Sequence, residues 1–296
     1  MYLIIGANGF IGNKVYWALK TASLAVKGTY FPDQLNMDKQ DAVYLNLERT
    51  DFKAIKALEG VTSVILCHGI SGLDQCKQQP ERTRKINVEN TNRLLQCFDS
   101  QLVKVIFLST SLVYAGDMDS PTEQDEPHPG TEYGRQKAAV EKFIVSHFRR
   151  VLILRLTKVF GVEKEDHTLF TNWMDKMLVG TKIKVATDSF ISPLFVNDLV
   201  KQMIALLERD HAGVFNMGGQ QVNTIAAFGR QLADRFSFAE RIEEVKISEL
   251  GLLENRPKFN SVDSGKLWRK IAQTLTPMES CFELLANSYK IKAAKL

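Results

Sequence analysis

The sequence predicts an α/β protein built on a doubly wound parallel sheet. Three observations carry this. Short apolar runs of β type alternate with helical patterns through the first half. The runs "VILC" (64–67), "VIFL" (105–108) and "VLIL" (151–154) are continuously apolar, as strands covered on both faces are. A glycine-rich turn joins the first strand to the first helix. Strands alternating with helices make right-handed βαβ units, and in such sheets ligands sit beyond the carboxyl ends of the strands.

The elements follow in order. "YLII" (2–5) is a strand, and a helix runs from about Phe10 to Lys20. "LAVKGTY" (24–30) and "AVYLNL" (42–47) are the second and third strands. "DFKAIKALEG" (51–60) reads as a helix with Asp51 near its start and Gly60 at its end. "VTSVILC" (61–67) is a strand, and Pro80 opens a long helix over 80–98. "VKVIFLST" (103–110) is a strand, 132–148 a helix and "RVLILRL" (150–156) a strand. Three of the eight prolines lie in "PTEQDEPHP" (121–129), a loop leading into the 132–148 helix. After Gly161 the rhythm loosens. Helices near 169–179, 198–209, 223–237 and 278–288 and strands "KIKV" (182–185) and "GVFNM" (213–217) are expected. This divides the chain into a dinucleotide-binding Rossmann domain over 1–160, rejoined by about 195–217. A smaller, discontinuous substrate-binding region covers 161–296.

Composition narrows the function. The 296 residues are 45% hydrophobic and 24% charged, enough for a large core. A net charge of +4 without a basic stripe argues against nucleic acid. Cys67, Cys76, Cys97 and Cys281 show neither CxxC nor zinc spacing, so neither a metal site nor a disulfide framework is expected. "MYLIIGANG" has no basic leader, and its apolar run, Tyr2 to Ile5, is too short for a signal peptide. No apolar segment reaches the roughly 18 residues of a membrane span. Cytoplasm is the expected compartment.

"IIGANGFIG" sets Gly6, Gly9 and Gly12 between the first strand and first helix. Glycine permits a tight turn and close backbone approach, and the helix N-terminus offers free N–H groups to a pyrophosphate. In this setting the motif points to a dinucleotide held by Gly6, Asn8, Gly9, Phe10, Ile11 and Gly12. Cys67, His68 and Gly69, ending the fourth strand, would meet the adenosine side. His68 itself reads as packing. No carboxylate follows the second strand before Asp33, and the Thr29 hydroxyl tolerates a 2′-phosphate. No Arg grips it there, and Lys27 is the only candidate helper. NADP(H) is therefore favoured over NAD(H). Asn46 and Leu47 end the third strand, where the Asn46 carbonyl oxygen accepts from an adenine amino group.

"TEYGRQKAAVEKF" (131–143) places Tyr133 and Lys137 one helical turn apart on one face. A nearby ammonium and the positive helix end are expected to lower the phenol pKa and make it a general acid or base.

GxxGxxG together with Tyr133-x-x-x-Lys137 resembles the extended branch of the short-chain dehydrogenase/reductase superfamily acting on nucleotide sugars. "INVENTNRLL" (86–95) and "LRLTKVFG" (154–161) resemble segments of that superfamily. "TDSFISPLFVNDLV" (187–200) and "RPKFNSVDSGKL" (256–267) resemble the dTDP-4-dehydrorhamnose reductase family, which reduces a 4-keto group on a nucleotide-activated deoxysugar. The resemblance implies hydride transfer with Thr110, Tyr133 and Lys137 as catalytic residues. Tyr133 donates the proton, Thr110 holds the carbonyl oxygen, and Lys137 tunes Tyr133 and binds the nicotinamide ribose. It also implies a homodimer through the helices around 80–98 and 132–148.

The chain departs from that pattern around the sugar. Ser111-Leu112 replace Asp-Tyr, Lys158 replaces a Trp, and Ser189 and Ile191 replace Gln and Gly. Dehydratases of the superfamily carry Asp-Glu after the catalytic Thr, which Ser111-Leu112 cannot supply. A 4-epimerase shares the Thr–Tyr–Lys set. A non-catalytic relative, such as the regulatory β-subunit of methionine adenosyltransferase, keeps fold and cofactor site. Among substrate candidates, Ser111 reads as a sugar contact or a strand-end cap, and Lys158, near the sugar pocket, as a partner for an acidic sugar or phosphate or as a solvated lysine. Arg256 reads equally as a diphosphate ligand or a surface arginine. Asn87 reads equally as active-site support or an ordinary helix polar residue. Trp173 and Phe190 read as core, and Asp198 as a helix cap.

Overall fold

The computed structural model describes residues 1–31 and 36–291. Asp33 lies outside the described residues. Seven strands form one sheet: β1 (Tyr2–Ile5), β2 (Val26–Tyr30), β3 (Ala42–Tyr44), β4 (Ser63–Leu66), β5 (Lys104–Thr110), β6 (Arg150–Leu156) and β7 (Gly213–Met217). Their order is β7-β6-β5-β4-β1-β2-β3, and every pairing is parallel. The order reverses between β1 and β4. That switch point opens a crevice at the carboxyl ends of the strands.

Side-chain alternation builds two buried faces. Ile4, Ile65, Ile106, Leu152 and Leu154 point to one side, where they meet Val15, Tyr16 and Leu19 of α1 (Phe10–Thr21). Leu3, Ile5, Val64, Leu66, Val105 and Phe107 point to the other. There they meet α2, a continuous helical stretch made of Pro80–Arg84, a π turn Lys85–Asn90 and Thr91–Leu95. They also meet α3 (Glu132–His147), through Val140 and Ile144. A second core gathers Phe160, Phe170, Trp173, Phe228, Leu232, Phe282 and Leu285. It joins α4 (Leu169–Leu178) to α6 (Ile225–Arg235) and α7 (Met278–Ser288), while α5 (Val196–Glu208) returns to the main sheet through Leu199, Met203 and Leu206.

Some expectations change. The helix expected over 51–60 shrinks to Lys53–Lys56, and Gly60 turns the chain at φ +69. A strand Ile242–Val245 pairs in parallel with Ile183–Ala186. Its sequence, IEEV, puts two charges at its centre and gives no strand signal. Asp198 does not cap its own helix, because α5 starts two residues earlier, at Val196. Its carboxylate instead holds the backbone N–H and hydroxyl of Thr276, both at 2.8 Å.

Two devices set α3 against the sheet. Thr131 caps the helix by accepting the Gly134 N–H at 3.0 Å. Gly134 lets the helix approach the turn after β5, since a Cβ there would stand 2.1 Å from the Leu112 carbonyl oxygen. One turn beyond Lys137, Glu141 forms a buried ion pair with Arg155 of β6 (Nη2–Oε2 2.7 Å, Nε–Oε1 3.2 Å). Ser109 of β5 donates to the same carboxylate. Arg155 Nη1 donates to the Tyr114 hydroxyl at 2.7 Å, and that hydroxyl lies 3.0 Å from Asn216 Oδ1 on β7. Removing one charge of a buried pair strands the other. Glu141→Gln is expected to destabilise the fold by about 3–5 kcal/mol in denaturant unfolding. A change within about 0.5 kcal/mol, the scale of ordinary surface substitutions, would show that the pair does not hold the helix.

Candidate active site

A cleft of about 370 Å³ opens at the switch point. It is lined by the expected Gly6, Asn8, Gly9, Thr29, Asn46, Leu47, Cys67, His68 and Gly69. Gly6 takes φ +85, and a Cβ there would meet His68 at 3.0 Å. A Cβ at Gly12 would lie 2.1 Å from the Gly6 carbonyl oxygen, so Gly12 serves helix–loop packing. Gly9 has ordinary room, and no side chain caps α1, leaving its first-turn N–H groups open. Phe10 and Ile11 are partly buried and pack against the second core. Phe10, Ile11 and Gly12 do not line the cleft.

At the adenosine end the sequence reading needs adjustment. Thr29 is buried and accepts the Gly6 N–H at 2.9 Å, so its hydroxyl pins the glycine loop. Lys27 donates to the Gln40 carbonyl at 3.0 Å and does not line the cleft. The cation that does is Arg82, which no sequence motif marked, and it is paired with Glu48 across the opening. Asn46 Oδ1 already accepts the Glu48 N–H at 2.8 Å. Asn8 donates to the Phe31 carbonyl at 3.1 Å.

On the cleft wall, His68 is partly buried and held by one hydrogen bond. Its Nε2 lies 2.7 Å from Thr91 Oγ1, and burial, aided by the Lys137 charge, pulls its pKa down to about 3. It is therefore neutral. Burial pushes the Cys67 thiol up to about 12, with Lys137 opposing. Asn87, in the π turn of α2, clasps both backbone groups of Ile70 (2.8 and 2.9 Å) and donates to Gln136 of α3 at 2.8 Å. Thus Asn87 links the loop after β4 to the Tyr133 helix.

Thr110 closes β5, and its Oγ1 accepts the Leu112 N–H at 3.2 Å. Lys137 is buried, donates to the Leu108 carbonyl at 2.8 Å, and lies 4.5 Å from the Phe107 ring and 5.7 Å from the Tyr133 ring. Burial lowers Lys137 to about 8, partly offset by Cys67 and Glu141. Tyr133 goes the other way from the expectation. Desolvation pushes its phenol above the ordinary value, with Cys76 adding to the rise. The Lys137 ammonium does not outweigh the loss of water around the ring.

The substrate candidates separate. Ser111 is buried and donates to Asn260 Oδ1, tying the turn after β5 to the strand Phe259–Asn260. Arg256 pairs with Asp74 at 2.9 Å and donates to the Glu254 carbonyl at 2.9 Å. Lys158 lies two residues past β6. Trp173 is buried against Phe170, and Phe190 stacks on Phe259. Among the described residues no His, Cys, Asp and Glu cluster could hold a metal, and no helix is long and apolar enough to cross a membrane. The four cysteines are free.

A family model described as the RmlD substrate binding domain matches residues 1–290. The chain belongs to the RmlD family. A relative from Haloferax volcanii, a probable low-salt glycan biosynthesis reductase, is 28% identical over 272 residues, covering 89% of this chain and 90% of its own. The methionine adenosyltransferase 2 subunit beta of Rattus norvegicus is 24% identical over 280 residues, covering 90% and 80%. Among solved structures, the dTDP-4-dehydrorhamnose reductase of Bacillus anthracis in complex with NADP superposes with TM-score 0.80, 21% identity and coverage of 95% and 96%. The UDP-glucuronic acid 4-epimerase of Bacillus cereus in complex with UDP-glucuronic acid and NAD gives TM-score 0.81, 20% identity and coverage of 98% and 99%. At these identities the two structures establish the RmlD chain's fold.

The buried Lys137 yields a prediction for this RmlD-family chain. An unfolded lysine keeps its proton to about 10.4, whereas folded Lys137 releases it near 8. Between those values the unfolded state binds more protons, so this residue's contribution to stability rises with pH. Lys137→Met is therefore expected to be the more stable form at pH 7, with the gap closing from pH about 8 to 10. Thermal melts of both proteins across that range measure it, and a constant gap would contradict the assignment.

Proposed function

We propose that the chain is an NADP(H)-dependent reductase of the keto group of a nucleotide-activated deoxysugar. The observation that supports it most is spatial. Tyr133 and Lys137 share the start of α3, Gly134 brings that start against the turn after Thr110, and the glycine-lined cleft lies at the same edge of the sheet. The cleft fits a dinucleotide: Gly6 has a left-handed φ, Gly9 has space, and the uncapped first turn of α1 offers N–H groups to a pyrophosphate. A nicotinamide bound there supplies the hydride.

The chain's own residues do the rest. Thr110 makes no donated hydrogen bond among the described residues, which leaves its O–H for the substrate carbonyl oxygen. Burial keeps the Tyr133 phenol protonated at neutral pH, the form that donates to an oxygen gaining negative charge. Lys137, fixed on the Leu108 carbonyl, places an ammonium beside the Tyr133 ring and within reach of a ribose. Arg256 is assigned to the substrate diphosphate and residues 161–291 to the sugar nucleotide. A preference for NADP(H) rests on Arg82 in the cleft and on the absence of a carboxylate ending β2, with Glu48 opposing it. Homodimerisation through α2 and α3 belongs to the same reading.

The likeness to methionine adenosyltransferase 2 subunit beta favours a second reading, a cofactor-binding regulatory subunit. Nicotinamide absorbance decides between them, with NADPH and NADH supplied separately to a panel of nucleotide-linked 4-keto-6-deoxysugars. Turnover is expected, and Tyr133→Phe should lower kcat by about 10²–10⁴-fold. Tight NADP(H) binding without turnover of any sugar would favour the regulatory subunit.

A further inference from the structure

A second cleft, of about 360 Å³, lies beside Lys158 and is walled by His167, Asn172, Trp173 and Lys176. Its lining contains two lysines and a histidine and no carboxylate. Lys158 follows Leu156 by two residues, and Leu156 is the register partner of Thr110 across β5 and β6. The lysine therefore stands at the same edge of the sheet as the candidate catalytic hydroxyl.

The Lys158 backbone is fixed, because its carbonyl accepts the Leu194 N–H at 2.9 Å. Its ammonium makes no hydrogen bond or ion pair among the described residues. The Lys158 side chain is exposed to solvent, as are His167 and Lys176, so the three form an open basic wall. Desolvation lowers the Lys158 pKa, and the Arg256 charge acts in the same direction. Arg256 has a counter-charge in Asp74, whereas Lys158 has none. A cleft that gathers three basic side chains and no carboxylate offers an anion several donors and no competing negative charge.

We propose that Lys158, with His167 and Lys176 lining the same cleft, binds an anionic substituent on the sugar, so that the substrate is a nucleotide-linked sugar acid. This rests on the nucleotide-sugar reading above and changes its sugar, from a 6-deoxysugar to one that carries a carboxylate; the deoxysugar then becomes the weaker-binding substrate. The register favours the sugar over the diphosphate. Thr110 holds the reacting carbonyl, whose ring neighbours carry the remaining substituents, while the anomeric diphosphate leaves from across the ring.

Calorimetric binding to the NADP(H)-loaded protein tests this with UDP, UDP-glucose and UDP-glucuronic acid, and with the thymidine counterparts. The two sugars of each set differ by one carboxylate. The acidic sugar is expected to bind about tenfold more tightly, equivalent to about 1.4 kcal/mol. Lys158→Met should remove that advantage while leaving the nucleoside diphosphate and neutral sugar within about twofold, and Lys158→Arg should retain it. Equal affinity of the two sugars for the unaltered protein would overturn the inference alone. So would a Lys158→Met protein that loses as much affinity for the nucleoside diphosphate as for the sugar acid, which would assign the lysine to the diphosphate. No binding of any of these nucleotides by protein that still binds NADP(H) would overturn the nucleotide-sugar reading, and this inference with it.

Discussion

The buried ion pair between Glu141 and Arg155 fixes where the candidate catalytic groups stand. Glu141 lies one turn beyond Lys137 on α3, and Arg155 pairs in register with Ser109, next to Thr110. One carboxylate thus joins the helix that carries Tyr133 and Lys137 to both strands at the candidate site. Tyr114 and Asn216 extend the network to β7 and to the loop at 121–123. Such a network is favourable only when its members are satisfied together. A small rotation of α3 would break several bonds at once. That makes the position of Tyr133 a property of the core rather than of a loop.

The same burial sets the electrostatics. Lys137 is held by a carbonyl and an aromatic face, not by a carboxylate within hydrogen-bonding distance, so desolvation dominates and its charged form is disfavoured. Tyr133 and His68 respond by staying neutral. The interior side of the crevice therefore contains one strained cation surrounded by neutral groups. An incoming ribose hydroxyl or a developing oxyanion would add a second partner beside the Leu108 carbonyl. The ground state of the free protein is less stable for it, and the site is correspondingly prepared for a ligand.

Much of this was readable in the sequence, for local reasons. Continuous apolar runs located four of the seven sheet strands closely, β1, β4, β5 and β6, and the βα setting of Gly6 and Gly9 located the cleft. Tyr133 and Lys137 were visible because helix geometry alone puts them on one face. What escaped depends on long-range packing. Arg82 meets the cleft from α2, a helix tied to the segment after β3 where Asn90 donates to the Leu47 carbonyl, and Glu141 meets Arg155 across two elements. The direction of the Tyr133 shift was misread because spacing reveals a neighbouring charge but not the water removed around it. Thr29 lines the cleft, yet its hydroxyl is occupied by Gly6, and the Ser111 hydroxyl is occupied by Asn260. A sequence cannot show which of two nearby partners a hydroxyl will choose.

The two ends of the crevice differ in how far charge is matched. At the cofactor end, Arg82 faces Glu48, and an exposed pair of this kind can open for a ligand at little cost. At the Arg256 side, Asp74 already neutralises the guanidinium, so a diphosphate must compete with that carboxylate. Beside Thr110 the balance is different. Ser111 stands where the resemblance places an Asp, and Lys158 where it places a Trp, so one negative charge is absent and one positive charge is added. Both changes favour an anion at the same edge of the sheet. Thr110, Tyr133, Lys137 and the glycine loop carry no such departure from the resemblance. On the proposed reading, hydride transfer and the choice of sugar are thus separable, because the first would depend on groups locked into the core and the second on side chains that line an open cleft.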